Sequence, residues 1–238
     1  INKPFQIEEV KARVSTHLQL KALQNQMERK IEQGISHIRS LNQEIIDTQR
    51  ELILMLGEIC ETRSHETGQH VVRMADFCHL LAELAGCEDA DLIRHAAPMH
   101  DIGKVAIPDR ILNKPGELTP DEWEVMKTHS QLGYQMLSVS QRPLLNMAAI
   151  IAYQHHEKWD GSGYPQGLRG DEIHIAGRIA AMADVFDALS HERCYKPVWE
   201  LDQILTFFHE QRGRHFDPRL VDLFFEHLDQ FLMPSQSR

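Results

Sequence analysis

Two adjacent pairs, His100-Asp101 and His155-His156, carry much of the chemistry that this sequence can offer. Glu66 and His70 are four residues apart, so they share one helical face if the helix starts before Glu66. His129 and Asp184 complete a set of metal-capable groups. Asp184 follows the apolar run IAAMA, where a carboxylate is costly unless it is paired, hydrogen-bonded or ligating. Neighbouring residues of a helix point about 100° apart. Each pair can therefore serve two adjacent ions, or one ion from two directions.

Imidazole and carboxylate together suit a hard-to-borderline divalent ion such as iron or manganese. Most of these positions have no cysteine nearby, which disfavours a structural zinc site. Such an ion brings the pKa of the water it holds towards neutrality. Attack on a phosphodiester needs that help, because the ester's negative charge repels an anionic nucleophile. Lys104, one turn beyond His100, can reach a phosphate oxygen and offset charge gained in the transition state. Asp187 lies three after Asp184, on nearly the same face. It can orient a ligand, bind substrate or protonate a leaving oxygen, and pairing inside the fold is equally open. His17, His37, His79, His95 and His191 read as ordinary surface or half-buried residues.

Helices must position these groups. The stretches 71–86, 89–104, 142–157, 176–190, 201–210 and 218–228 have helical periodicity, and no alternating strand pattern appears. Pro98 is expected to kink or restart the chain just before His100. Thr119, followed by Pro120, Asp121 and Glu122, reads as an N-cap leading into the helix of His129. The expected fold is all-α, with long connections at 105–118 and 158–175. Upstream, Ile31, Ile35, Ile38, Asn42, Ile45, Gln49, Leu52, Leu56 and Ile59 form a heptad seam. A helix this long cannot bury its own stripe, so a parallel homodimer through it is expected. Packing of the stripe on its own domain is the alternative.

HDIGK (100–104) resembles the motif of the HD superfamily of metal-dependent phosphohydrolases. HHEKWDGSGYPQGLRG (155–170) matches the extended signature of its HD-GYP subfamily, and ADVFDALS (183–190) with ERCYK (192–196) is similar to its closing motif. The resemblance spans roughly 60–230. It implies a helical phosphodiesterase domain over 61–233 that opens cyclic di-GMP to pGpG, GMP or both, with two or three divalent metals, iron or manganese. His70, His100, Asp101 and Asp184 would be core ligands, with Asp101 bridging. His129, His155 and His156 would extend the site to a second ion, and Glu66 matches the extra carboxylate of three-metal members. No ligand position is substituted, which argues against a purely regulatory copy. A sensor or adaptor of low turnover and a hydrolase for another cyclic dinucleotide are the alternatives.

The same resemblance makes Arg193 and Lys196 candidate phosphate clamps and Tyr164 a candidate platform for guanine, on a loop linked to signalling partners. Trp159 reads as loop core. Arg178 can pair with an acid or approach substrate. His174 and Gly177 depart from the family pattern and suggest a looser loop. Lys3-Pro4-Phe5, ahead of an amphipathic helix, resembles the end of a response-regulator receiver domain. The expected order is a receiver remnant (1–20), a coiled-coil helix (21–60), the HD-GYP domain and a short tail (234–238).

The formal net charge of -10 argues against binding a nucleic-acid duplex, without excluding a small anion held by metal or local positive charge. No apolar run is long enough to span a membrane. INKPFQIEEVKARV lacks a signal-peptide core, although the missing Met suggests a fragment. Scattered Cys60, Cys78, Cys87 and Cys194 read as free thiols of a cytoplasmic protein.

Overall fold

Helix α1 runs unbroken over Ile7–Arg63 and carries the heptad positions from Ile31 to Ile59. Its seam side chains stand open: Ile38 is 60% exposed and Ile45 54%. The computed structural model describes residues 7–64, 68–191 and 198–232. The chain divides into two units, 1–49 and 50–238, and the end of α1 from Arg50 belongs to the second.

In that second unit, α2 (Gly68–Leu84), α3 (Ala90–Ala96), α4 (Asp109–Leu112), α5 (Pro120–Leu137), α6 (Pro143–Gln154), α7 (Ile175–Ser190), α8 (Leu201–Gln211), α9 (Pro218–Glu226) and α10 (Leu228–Leu232) follow in order. Among the described residues there is no strand, only an isolated bridge between Arg212 and Phe216. None of the described helices is long and apolar enough to cross a membrane.

The core is built on α2, α3, α6 and α7. Small side chains on α6 and α7, including Ala148, Ala152, Ala180 and Ala183, are fully buried and keep the helix contacts close. Phe77, Phe186, Phe208 and Phe224 tie α2 and α7 to the last helices. The Phe77 and Phe186 ring centroids are 5.1 Å apart, and those of Phe208 and Phe224 5.3 Å. Such aromatic pairs combine large buried area with favourable ring geometry.

Two local signals come out as expected. Thr119 caps α5 in a reciprocal box, with the Thr119 side chain accepting from Glu122 N and the Glu122 carboxylate accepting from Thr119 N. Pro98 ends regular helix: α3 stops at Ala96 and a 3₁₀ turn covers Ala97–Met99. A second 3₁₀ turn follows over Ile102–Ala106. His100 and Asp101 therefore lie between two tight turns, not on the kinked or restarted helix expected over 89–104. The physical reason is the proline, which cannot donate to the preceding turn. Gly103 lets the second turn lie directly on α5, because a Cβ there would collide with the His129 carbonyl. His174, expected to mark a loose loop, instead caps α7 by accepting from Ala176 N, and its own N–H donates to Gln154 Oε1.

Candidate metal centre

The structure brings seven of the expected ligands together. Atoms of Asp101, His129, His155 and His156 lie within 4.8 Å of one another, as do those of His70, His100 and Asp184. They come from separated elements: α2 supplies His70, the 97–106 turns His100 and Asp101, α5 His129, the end of α6 His155 and His156, and α7 Asp184. Asp101 links the two groups. Its Oδ1 is 3.1 Å from His129 Nε2 and its Oδ2 3.1 Å from His100 Nε2.

Backbone carbonyls set the imidazole tautomers. His100 Nδ1 donates to Ala97 O at 3.1 Å, His129 Nδ1 to Met126 O at 2.7 Å, and His155 Nδ1 to Ile151 O and Ala152 O at 3.1 Å. His70 Nδ1 donates to the Asp187 carboxylate at 2.6 Å. A carbonyl or carboxylate can only accept here, so each ring in its neutral form presents a lone pair at Nε2. That is the outer-shell arrangement that orients ligating histidines. His100 Nε2, His155 Nε2 and Asp101 Oδ1 are buried without a hydrogen bond of good geometry. Buried polar atoms of that kind call for an explanation, and a divalent cation fits this donor set.

Electrostatics agree at His155 and His156. Burial drives the His155 pKa down to about 3, and burial also holds His156 well below its ordinary value. Both rings are neutral near pH 7, as ligation requires. Burial opposes charge on Asp101, but Lys104 and His100 outweigh it and keep its carboxyl well below the usual range. Lys104 Nζ lies 2.6 Å from Asp101 Oδ2. Burial likewise opposes charge on His100, yet the Asp101 carboxylate raises its pKa to about 9.

The remaining candidates separate. Asp187 is buried, and its carboxylate accepts from His70 and from Arg73 Nε and Nη2. It sits behind a ligand. Tyr164 stacks on His156, with ring centroids 4.7 Å apart, and forms part of the site wall with Trp123. Arg178 takes the acid-paired alternative: its Nη1 donates to Asp171 at 2.9 Å and Asp217 at 2.8 Å, beside Trp159. Glu66, Arg193 and Lys196 lie outside the described residues.

Sequence reasoning missed three groups. Glu61, at the end of α1, is 1% exposed and within 4.8 Å of His100 and Asp101 atoms. Arg73 lies one turn after His70 and carries Asp187. Glu157 buckles the Gly-Tyr-Pro loop, its carboxylate accepting from Gln166 N at 2.7 Å and Leu168 N at 3.0 Å. Only Glu157 had a visible signal, an acid directly after the histidine pair and before a glycine-rich turn.

A family profile described as HD domain matches residues 54–220, and the chain belongs to that family. Its relatives are phosphodiesterases of cyclic dinucleotides. It is 52% identical over 188 residues to the 3′3′-cGAMP-specific phosphodiesterase 2 of Vibrio cholerae, covering 78% of this chain and 36% of that protein. It is 44% identical over 225 residues to the cyclic di-GMP phosphodiesterase response regulator RpfG of Xanthomonas campestris pv. campestris, covering 92% of this chain and 59% of that one. The chain thus spans less than two thirds of either relative's length. The fold is similar to the crystal structure of a cyclic GMP-AMP specific phosphodiesterase of V. cholerae, with a TM-score of 0.61 at 18% identity over 77% of this chain and 50% of the other.

Proposed function

We infer that this chain is a metal-dependent phosphodiesterase that opens cyclic di-GMP. The observation that carries the reading is the pair of ligand groups joined through Asp101, with each buried ring turned by its own hydrogen bond to present Nε2. His70, His100 and Asp184 would hold one ion, and Asp101, His129, His155 and His156 a second, iron or manganese. Glu66 would add a third. Two ions held this closely supply activated water and charge neutralisation for displacement at phosphorus.

The protein's own groups do the rest. Lys104, whose Nζ lies 2.6 Å from Asp101 Oδ2, would offset charge on a non-bridging phosphate oxygen. Tyr164 and Trp123 offer aromatic faces to a purine. Asp187 acts through His70 instead of touching substrate. Arg193 and Lys196 belong to this reading through their motif alone.

A second reading, 3′3′-cGAMP as substrate, is favoured by the 52% identity to a phosphodiesterase named for it. The cyclic di-GMP reading takes 61–233 as the catalytic domain, 21–60 as a coiled coil of a homodimer and 1–20 as the end of a receiver. Its support is the unbroken α1 and the match of 92% of the chain to a response regulator.

The test is single-turnover hydrolysis of both cyclic dinucleotides by the reduced, metal-loaded protein, with products separated by chromatography. Cyclic di-GMP should open to pGpG, GMP or both, and Lys104→Ala should slow that step about a hundredfold, the equivalent of roughly 3 kcal/mol, with metal content unchanged. Faster opening of 3′3′-cGAMP would favour the second substrate. A parent that opens neither ring overturns the reading.

A further inference from the structure

We propose that Glu61 is a positioning residue for Lys104, and that the last turn of α1 is the scaffold on which the HDIGK turn is held. The inference rests on the reading of Lys104 as the cation that faces the phosphate.

Glu61 is among the most buried charged residues of the described chain, at 1% exposure, and its Oε2 lies 3.8 Å from Lys104 Nζ. A carboxylate so far from water requires compensating charge, and Lys104 supplies it. Two residues on, Arg63 grips the same segment. Its Nη1 donates to Lys104 O at 2.9 Å, and its Nη2 donates to Ile107 O at 3.0 Å and to Asp109 Oδ1 at 2.8 Å. One turn earlier, a Cβ on Gly57 would come within 2.5 Å of Pro98 O, so α1 lies directly on the backbone that leads into His100. The end of α1 therefore meets both sides of the His100-Asp101 pair. Neither Glu61 nor Arg63 belongs to a ligand motif.

The arrangement answers a physical problem of the site. Lys104 lies 2.6 Å from Asp101, the carboxylate shared by the two ligand groups. Once Asp101 is committed to cations, it no longer attracts an ammonium, and the cations repel one. Glu61 then supplies the opposing charge that keeps Lys104 at the site. The Arg63 clamp fixes the backbone from which the lysine extends. A change in the position of the α1 terminus would reach Lys104 through both contacts without moving a metal ligand.

A double-mutant cycle on the full, metal-loaded chain tests this, using whichever cyclic dinucleotide the parent opens. Glu61→Gln keeps the shape and removes the charge. It should slow single-turnover hydrolysis about tenfold, as the loss of one charge-assisted contact does, leave KM and the metal count unchanged, and cost nothing further in a Lys104→Ala background. Glu61→Asp, which keeps the charge, should recover part of the rate. Arg63→Gln should raise amide hydrogen exchange across 102–107. Loss of metal from Glu61→Gln would make Glu61 a ligand and overturn the proposal, as would an undiminished effect of Glu61→Gln in the Lys104→Ala background. A parent that opens no cyclic dinucleotide defeats the functional reading alone. The proposal is then decided by exchange across 102–107 in Glu61→Gln and Arg63→Gln, where parent-like protection in both overturns it.

Discussion

Asp187 Oδ2 accepts from His70 Nδ1 at 2.6 Å, which leaves His70 Nε2 directed to Asp184 Oδ1 at 3.7 Å. A carboxylate outside the candidate ligand groups thus decides which nitrogen of His70 faces them. Arg73 anchors that carboxylate in turn. Asp187→Asn should lower metal affinity by about 10–100-fold, the usual effect of losing such an outer partner. Metal titration of chelator-treated protein reads this directly. Parent-like affinity in Asp187→Asn would remove the orienting role.

The same carboxylate predicts behaviour in acid. Burial works against its charge, but hydrogen bonds from His70 and Arg73 win and bring its pKa from 3.8 to about 2. The folded value is the lower one, so this stabilisation is complete above the unfolded value and is lost as pH falls through the folded one. For a group this buried it amounts to about 2 kcal/mol. Denaturant unfolding of metal-free protein should therefore show stability falling between about pH 4 and pH 2. Asp187→Asn should show a flatter profile in that window.

Asp101 links both ligand groups, so its loss should differ in kind from that of any single histidine. Asp101→Ala is expected to lower the metal count at both proposed positions and to abolish hydrolysis. His129→Ala should spare the ion proposed for His70, His100 and Asp184. Elemental analysis of anaerobically prepared variants distinguishes the two patterns. Equal metal counts in both variants would contradict the linking role.

Ile38 and Ile45 lie on the exposed seam of α1. Changing both to glutamate should turn a dimer into a monomer in sedimentation equilibrium, because charges on a coiled-coil seam remove its apolar contact. A parent chain that already sediments as a monomer would end the dimer reading.

Candidate ligands were open to reading because the chemistry dictates residue type and local motifs hold the pieces together. His100-Asp101, His155-His156 and the spacing of Asp184 from Asp187 carry that information within a few residues. Helix periods and the Thr119 cap are local in the same sense, since a turn of helix depends on its own neighbours. The form of the chain at His100 was less legible. Pro98 announces a break, but not that two 3₁₀ turns replace the helix. Their placement depends on Gly103 lying against α5, a contact with a distant element.

Pairings across the fold were out of reach for the same reason. Nothing in ICETR distinguishes Glu61 from the exposed acids of α1 until that helix end is laid against the HDIGK turn, where the carboxylate is buried beside Lys104. Arg178 carries a charge that could face substrate or acid, and only the approach of Asp171 and Asp217 assigns it to acid. Residue type and short-range spacing determine which groups can ligate and where helices begin. Which charges meet is decided by the packing of segments far apart in the chain, because burial and through-space distance have no counterpart in local sequence.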